Sequence, residues 1–114
     1  MSGYKGPERA ADTAGAVEDL IDWWIATAED DLAKVAPKAV EYSSSDLLVI
    51  GSGIAPWLPD PLRLEAAIGF YLLGKASRIT GALMEGRTPS SDSWDDAAIY
   101  SFMGRRVRAT GRWP

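Results

Sequence analysis

Apolar residues in the first third of this 114-residue chain recur at intervals of three and four positions. That spacing puts them on one face of an α-helix, and they are Val17, Leu20, Ile21, Trp24, Ala28, Leu32 and Val35. Asp12 or Thr13 can cap the start, and Pro37 is expected to stop the run, so the sequence predicts a first helix over about 13–36. Residues 1–11 are rich in glycine, proline and charge. We expect them to form a flexible N-terminal arm, followed by a single domain over residues 12–114.

Three later segments also favour helices. The serines and Asp46 of residues 43–46 are good N-capping residues, which favours a short helix over a short buried strand for residues 47–50, with a loop over 51–59. Asp60 as cap and Pro61 at the first helical position predict a third helix that ends near Gly86. This helix is apolar nearly all round and is expected to be central and buried. Residues 88–92 open a fourth helix that runs to about 110, so the predicted fold is an all-α four-helix bundle.

The chain has no cysteine and no histidine. This excludes disulfides, thiolate or imidazole metal sites, and cysteine or serine–histidine nucleophiles. A metal ion would be a hard cation such as Mg²⁺ held by carboxylates. No apolar run approaches the length of a membrane span, and no apolar signal region follows Met1, so we expect a cytoplasmic protein with no membrane partner. We expect no nucleic-acid partner either.

Charge is unevenly divided along the chain. Residues 1–62 hold 11 acids and 4 bases, a balance of −7, whereas residues 63–114 hold 5 acids and 8 bases, a balance of +3. An acidic half beside a basic half suits a ligand made of a metal ion and phosphates. It equally suits ion pairing within the protein.

Several carboxylates lie on or beside apolar helix faces. At 100° per residue, Glu18, Asp22 and Glu29 lie along one edge of the first helix, beside its apolar face. This edge could bind a metal ion, or it could be a solvated acidic face. In the fourth helix Asp92 and Asp96 are four residues apart. Asp92 can be a helix cap, but Asp96 falls in the middle of an apolar stripe and needs a partner or a metal. That stripe is formed by Ile99, Tyr100, Met103 and Val107.

Glu65 is the corresponding acid of the apolar third helix. Burial there raises the pKa of a carboxyl group unless a cation or hydrogen-bond donors compensate. Lys75 and Arg78 are the long cationic side chains that follow it, and they are candidates for phosphate binding. The alternative is a structural ion pair that joins the third and fourth helices.

These residues carry a resemblance to small phage-encoded MazG-like proteins. The resembling segments cover roughly residues 35–110 and read Pro37-Lys38-Ala-Val-Glu41-Tyr42-Ser-x-x-Asp46-Leu, Glu65-x9-Lys75-x2-Arg78, and Gly86-Arg87-Thr-Pro-Ser-Ser-Asp92-Ser-Trp-Asp-Asp96-Ala-Ala-Ile-Tyr100. The resemblance implies an all-α, usually oligomeric protein with the ancestry of a Mg²⁺-dependent nucleoside triphosphate pyrophosphohydrolase. Typical members hold the metal with paired Glu-x-x-Glu and Glu-x-x-Asp helices. The first helix here has a shortened version, Glu18-Asp19-x-x-Asp22.

Two sets of site residues follow for the enzyme. The metal-binding candidates are Glu18, Asp22, Glu65, Asp92 and Asp96. The nucleotide- and phosphate-binding candidates are Lys38, Tyr42, Lys75, Arg78, Arg87 and Tyr100. Mg²⁺ would polarise a phosphate and orient a water molecule, with a carboxylate as base and a tryptophan stacked on the nucleobase.

Two other functions stay open for the same residues. A phage protein could bind and sequester a signalling nucleotide without hydrolysing it, or the chain could be a structural helical oligomer whose acids pair with arginines. A homo-oligomer of at least two copies is expected in each case, because the third helix is apolar all round and the chain is short. Ala67, Gly74 and Gly81 leave one stripe of that helix bare for a close contact.

Overall fold

The computed structural model describes the backbone of residues 7–114 and the side chains of residues 13–114. It contains four helices and, in these residues, no strand: α1 (Pro7–Glu41), α2 (Ser44–Ile54), α3 (Asp60–Met84) and α4 (Ser91–Thr110). The predicted all-α class with four helices is therefore confirmed. Residues 1–6 of the expected N-terminal arm lie outside the described residues. No described helix has the length and apolar character needed to cross a membrane.

The chain divides into two compact units, residues 1–33 and residues 34–114. In the first unit the described residues all belong to α1. The second unit holds the end of α1, the other three helices and a hydrophobic core. The core residues are Leu47, Leu64, Ala67, Ile68, Ile99, Tyr100, Met103, Val107 and Trp113.

The predicted end of the first helix at Pro37 is wrong, since α1 continues through this residue to Glu41. A proline inside a helix has no N–H to bond to the carbonyl four residues earlier, here that of Ala33. On either side of the proline, Val35 and Ala39 pack against the core of the second unit. Their burial offsets the missing hydrogen bond, which is how packing overrides a local helix-stop signal.

Helix α2 begins as the serine cluster predicts but ends later. Ser43 is its N-cap: the Ser43 hydroxyl accepts a hydrogen bond from the Asp46 backbone N–H at 3.1 Å, and the Asp46 carboxylate accepts one from the Ser43 backbone at 3.4 Å. The predicted loop over 51–59 is wrong for its first four residues, which are helical. Gly51 lies against α3, where a side-chain Cβ would overlap the backbone carbonyl of Arg63. The glycine therefore permits close packing of two helices instead of ending one.

Helices α3 and α4 follow their predicted spans. Pro59, and not Asp60, occupies the N-cap position of α3, and Ser90 caps α4. The expectation that α3 is buried all round is wrong. One face lies in the core, whereas Phe70, Leu73 and Met84 are exposed, Met84 at 83%. Among the described helices, those that pack against α3 are α2 and α4, and they leave these side chains uncovered.

The end of the chain is fixed to the start of α2. Trp113, the penultimate residue, is buried in the core. Its backbone N–H donates to the Ser44 hydroxyl at 2.9 Å, and that hydroxyl donates to the Trp113 carbonyl at 2.6 Å. Gly111 ends α4 in the left-handed conformation (φ 76°) that turns the chain toward this contact.

Candidate functional site

Three tyrosines from different parts of the second unit meet beside the core. Tyr42 follows the end of α1, Tyr71 lies on α3 and Tyr100 on α4. The rings of Tyr71 and Tyr100 are stacked, with centroids 5.5 Å apart and planes 14° apart. The Tyr42 ring lies 5.1 Å from that of Tyr71 and meets Tyr100 edge-on at 6.3 Å. These separations are favourable for aromatic pairs.

The hydroxyl groups of Tyr42 and Tyr100 lie 3.2 Å apart and share one hydrogen bond. Burial raises the pKa of both phenols, and the shared hydrogen bond adds to the shift for Tyr42. Both are therefore protonated at neutral pH and cannot serve as general bases. Because one bond uses one proton, the other hydroxyl keeps its proton for a ligand.

Cationic side chains surround the tyrosines. The Lys38 ammonium lies 5.4 Å from the ring centroid of Tyr42 and 5.2 Å from that of Tyr100, within the range of a cation–π contact. It also pairs with Glu41 at 3.5 Å. Lys75 follows Tyr71 by one helical turn, and Arg78 follows Lys75 by three residues, so the three share a face of α3.

These side chains line an open groove of about 620 Å³, which we call the tyrosine groove. Its lining residues are Tyr42, Phe70, Tyr71, Leu73, Gly74, Lys75, Ser77, Arg78 and Tyr100. Four predicted nucleotide-binding residues, Tyr42, Lys75, Arg78 and Tyr100, are among them, and Lys38 contacts two of the rings. The sixth, Arg87, lines a neighbouring recess that shares Ser77 and Arg78 with the groove.

The two acids expected on core faces each contact a base across α3 and α4. A carboxylate oxygen of Asp96 lies 2.9 Å from the Lys75 ammonium. Glu65 accepts two hydrogen bonds from Arg108, from Nε at 2.7 Å and from Nη2 at 2.8 Å. Both are only partly buried, with 31% of the Asp96 side chain and 23% of the Glu65 side chain exposed. This is the geometry of the structural ion-pair alternative.

The other predicted metal-binding residues are exposed. Glu18 and Asp22 lie on the part of α1 that belongs to the first unit, and Asp92 lies in the first turn of α4. Among the described side chains, no three or more carboxylates form a group that would hold one metal ion. The magnesium site stays a prediction.

Sequence reasoning missed three residues of this region. Phe70 and Tyr71 were expected to be buried with the rest of their helix, but they line the groove together with Tyr42 and Tyr100, and no tryptophan is among its described lining residues. The i, i+4 spacing of Tyr71 and Lys75, which puts a ring and a positive charge on one helix face, was the sequence signal for this groove. Arg108 carried no signal, because its partner Glu65 lies 43 residues away.

Comparisons of this chain with known protein families, curated proteins and solved structures give no match. The groove combines flat aromatic faces, protonated hydroxyls and cationic side chains. Such a set suits a ligand with an aromatic ring and negative charge.

Proposed function

We propose that this chain binds a nucleotide in the tyrosine groove. The observation that carries the proposal is convergence: residues separated by up to 62 positions in the sequence line or contact one groove. They are Lys38, Tyr42, Lys75, Arg78 and Tyr100. Each supplies either an aromatic ring, which can stack on a nucleobase, or a positive charge, which can pair with a phosphate group.

The groove offers separate contacts for the two parts of a nucleotide. A nucleobase stacks on the exposed ring of Phe70 or on the edge of the tyrosine cluster, as aromatic rings do with bases in proteins that bind single strands. Lys75 and Arg78 pair with phosphate oxygens, Arg78 with two parallel hydrogen bonds. The volume of about 620 Å³ lies within the usual range for small-molecule pockets.

The proposal includes a MazG-like relationship and a cytoplasmic location, in the host cytoplasm if a phage encodes the chain. Within it, binding is better supported than hydrolysis. Asp96 and Glu65, which the enzyme would use to hold Mg²⁺, are each engaged by a base. A protein that binds a signalling nucleotide and keeps it intact fits this arrangement, and Mg²⁺-dependent pyrophosphohydrolysis is the alternative outcome of the test below.

The test is a calorimetric titration with a panel of nucleoside mono-, di- and triphosphates, with and without Mg²⁺, followed by chromatography of the ligand. Binding with recovery of intact nucleotide supports the proposal, and release of pyrophosphate and a monophosphate supports the enzyme. Arg78→Ala should weaken binding about tenfold, the loss expected for a charged hydrogen bond. Arg105→Ala is the control, because Arg105 is exposed on α4 and is not among the groove residues. Equal affinity of the two variants, or no binding by the wild type, refutes the groove as the site.

A second proposal, self-association, has its own observation. The described part of α1 in the first unit exposes large apolar side chains, namely Val17, Leu20, Ile21, Trp23, Trp24, Ile25 and Leu32. Residues 13–33 also hold six acids and no base. Two such helices repel each other, whereas the basic second half of another copy, with its exposed Arg105 and Arg106, attracts them. We propose a second copy of this chain as the partner of α1, with the apolar side chains buried between the copies.

A further inference from the structure

The recess beside the tyrosine groove has a different chemical character. It has a volume of about 370 Å³ and lies between the C-terminal half of α3 and the start of α4. Its polar lining residues are Ser77, Arg78, Glu85, Arg87, Thr88, Ser90 and Ser93. Among the side chains that the structure describes, none with an aromatic ring lines it. The recess is therefore suited to a small polar ligand and not to a nucleobase.

Ser93 is the unusual member of this lining. The residue is 8% exposed, and its hydroxyl forms no hydrogen bond with any residue that the structure describes. No described side-chain oxygen is both buried and without a hydrogen-bond partner, so the Ser93 oxygen stays accessible to solvent although the rest of the residue is buried. Ser90 differs, since its hydroxyl already accepts a hydrogen bond from the Asp92 backbone at 3.3 Å. Because Ser93 lines the recess, its accessible hydroxyl is a hydrogen-bond donor available to a ligand there.

Positive charge reaches the same recess from two directions. Ser93 lies in the first turn of α4, a helix of 20 residues whose N-terminus carries partial positive charge. Arg78 and Arg87 extend from the α3 side. Arg87 is held by Glu85, with Nη2 and a carboxylate oxygen 2.6 Å apart, and 63% of the Arg87 side chain is exposed. An ion pair this exposed is weak and exchanges its anion readily.

From these features we infer a binding site for a tetrahedral oxyanion, the chemistry of a phosphate group. The oxyanion accepts a hydrogen bond from the Ser93 hydroxyl, lies at the N-terminus of α4 and displaces Glu85 from Arg87. The site does not depend on the nucleotide proposal. Since Ser77 and Arg78 line both cavities, the phosphate is either free or part of a ligand that also occupies the tyrosine groove.

The test is titration of the full chain with inorganic phosphate, followed by phosphorus NMR. Ser93→Ala should weaken binding about tenfold, because it removes one hydrogen bond to a charged group. Glu85→Gln should act in the opposite direction, tightening binding roughly threefold by releasing Arg87. Ser101→Ala is the matched control, since Ser101 is an exposed serine of the same helix and is not among the recess residues.

Three outcomes overturn the inference: no binding of phosphate by the wild type, equal affinity of Ser93→Ala and Ser101→Ala, or weaker binding by Glu85→Gln. Circular dichroism of each variant ensures that a loss is not a loss of fold. A parallel titration with a nucleoside monophosphate identifies the source of the phosphate. If its affinity also depends on Ser93, the phosphate belongs to a nucleotide; if only inorganic phosphate shows the dependence, the anion is free. Either result supports the site, and the second does so even when the nucleotide proposal fails.

Discussion

The Lys75 ammonium lies 2.9 Å from a carboxylate oxygen of Asp96, and this ion pair joins α3 to α4 beside the tyrosine groove. The pair is partly shielded from solvent, with 19% of the Lys75 side chain and 31% of the Asp96 side chain exposed. Shielding strengthens the attraction, and the remaining contact with water limits the penalty for desolvation. The pair also sets the charge of the groove, because Asp96 neutralises one of the cations that a phosphate would use.

The variant Asp96→Asn tests whether Asp96 forms a structural ion pair or binds a metal ion. The free energy of unfolding should fall by about 1 kcal/mol, since the ion pair is lost but the side chain keeps its shape. Binding of an anionic nucleotide should become tighter, because Lys75 is released. Asp95→Asn is the control, as Asp95 pairs with Lys34 on the exposed side of the same helix. A metal site predicts instead that Asp96→Asn abolishes any stabilisation by Mg²⁺ in thermal melts, and that result would refute the ion-pair assignment.

Glu65 and Arg108 should behave as an energetically coupled pair. We expect Glu65→Gln and Arg108→Gln each to lower stability in chemical denaturation, and the double variant to lose less than the two single losses added together. Arg105→Gln, an exposed arginine of the same helix, should show no coupling to Glu65→Gln. Strict additivity for Glu65 and Arg108 would show that their two hydrogen bonds contribute nothing in solution.

The parts of the fold that the sequence predicts are those decided by neighbouring residues. Ser43 with Asp46 and Ser90 with Asp92 begin helices through contacts three and two residues apart, so the pattern alone is sufficient. Pro37 misleads, because burial of residues beyond it in the core outweighs a local helix-stop signal. Such packing depends on residues far away in the chain and is not visible in a window of sequence.

The same distinction holds for the site. Lys75 and Arg78 are recognisable from the sequence, because charged residues in an apolar helix are unusual. The pairing of Asp96 with Lys75 and of Glu65 with Arg108 is not, since it depends on how α3 and α4 are aligned. Ser93 was missed for another reason: a serine near a helix start is ordinary, and only its burial beside a recess marks it.

The pH dependence of stability should report on the two raised tyrosine pKa values. The folded protein holds the phenolic protons of Tyr42 and Tyr100 more tightly than the unfolded chain, whose tyrosines titrate near the ordinary value of 10.0. Their contribution is therefore complete below about pH 10 and is lost as the pH rises through the folded pKa values. In thermal melts the wild type should lose stability faster above pH 10 than the double variant Tyr42→Phe/Tyr100→Phe. Parallel curves for the two proteins would contradict this assignment.

Gly51→Ala should destabilise the second unit by about 2 kcal/mol, because the new methyl group would overlap the Arg63 carbonyl and force α2 away from α3. Gly53→Ala is a matched control two residues later in the same helix. A Cβ at Gly53 meets no atom within 4 Å. There the higher helix propensity of alanine should leave stability unchanged or raise it by up to about 1 kcal/mol. Equal midpoints for the two variants in urea would show that α2 and α3 do not approach this closely.

Self-association through α1 is tested by Trp24→Glu. Trp24 is 64% exposed and lies in the middle of the apolar face that also carries Leu20 and Ile21. Light scattering at concentrations on the order of ten micromolar should give at least a dimer for the wild type and a monomer for the variant, because a buried unpaired carboxylate is costly. The indole fluorescence of the wild type should also shift to shorter wavelength as concentration rises.

Ala26→Glu provides the control for charge. It adds the same acid to the same acidic helix, but at 100° per residue it lies about 160° from Trp24, away from the apolar face. This variant should remain a dimer if α1 associates through its apolar side chains. Raising the salt concentration should weaken the dimer moderately, since screening reduces the attraction between the acids of α1 and the arginines of the other copy. A wild type that is monomeric at every concentration would mean that α1 does not bind a second copy. Equal dimer dissociation constants for the two variants would assign the contact to another surface, such as the exposed face of α3.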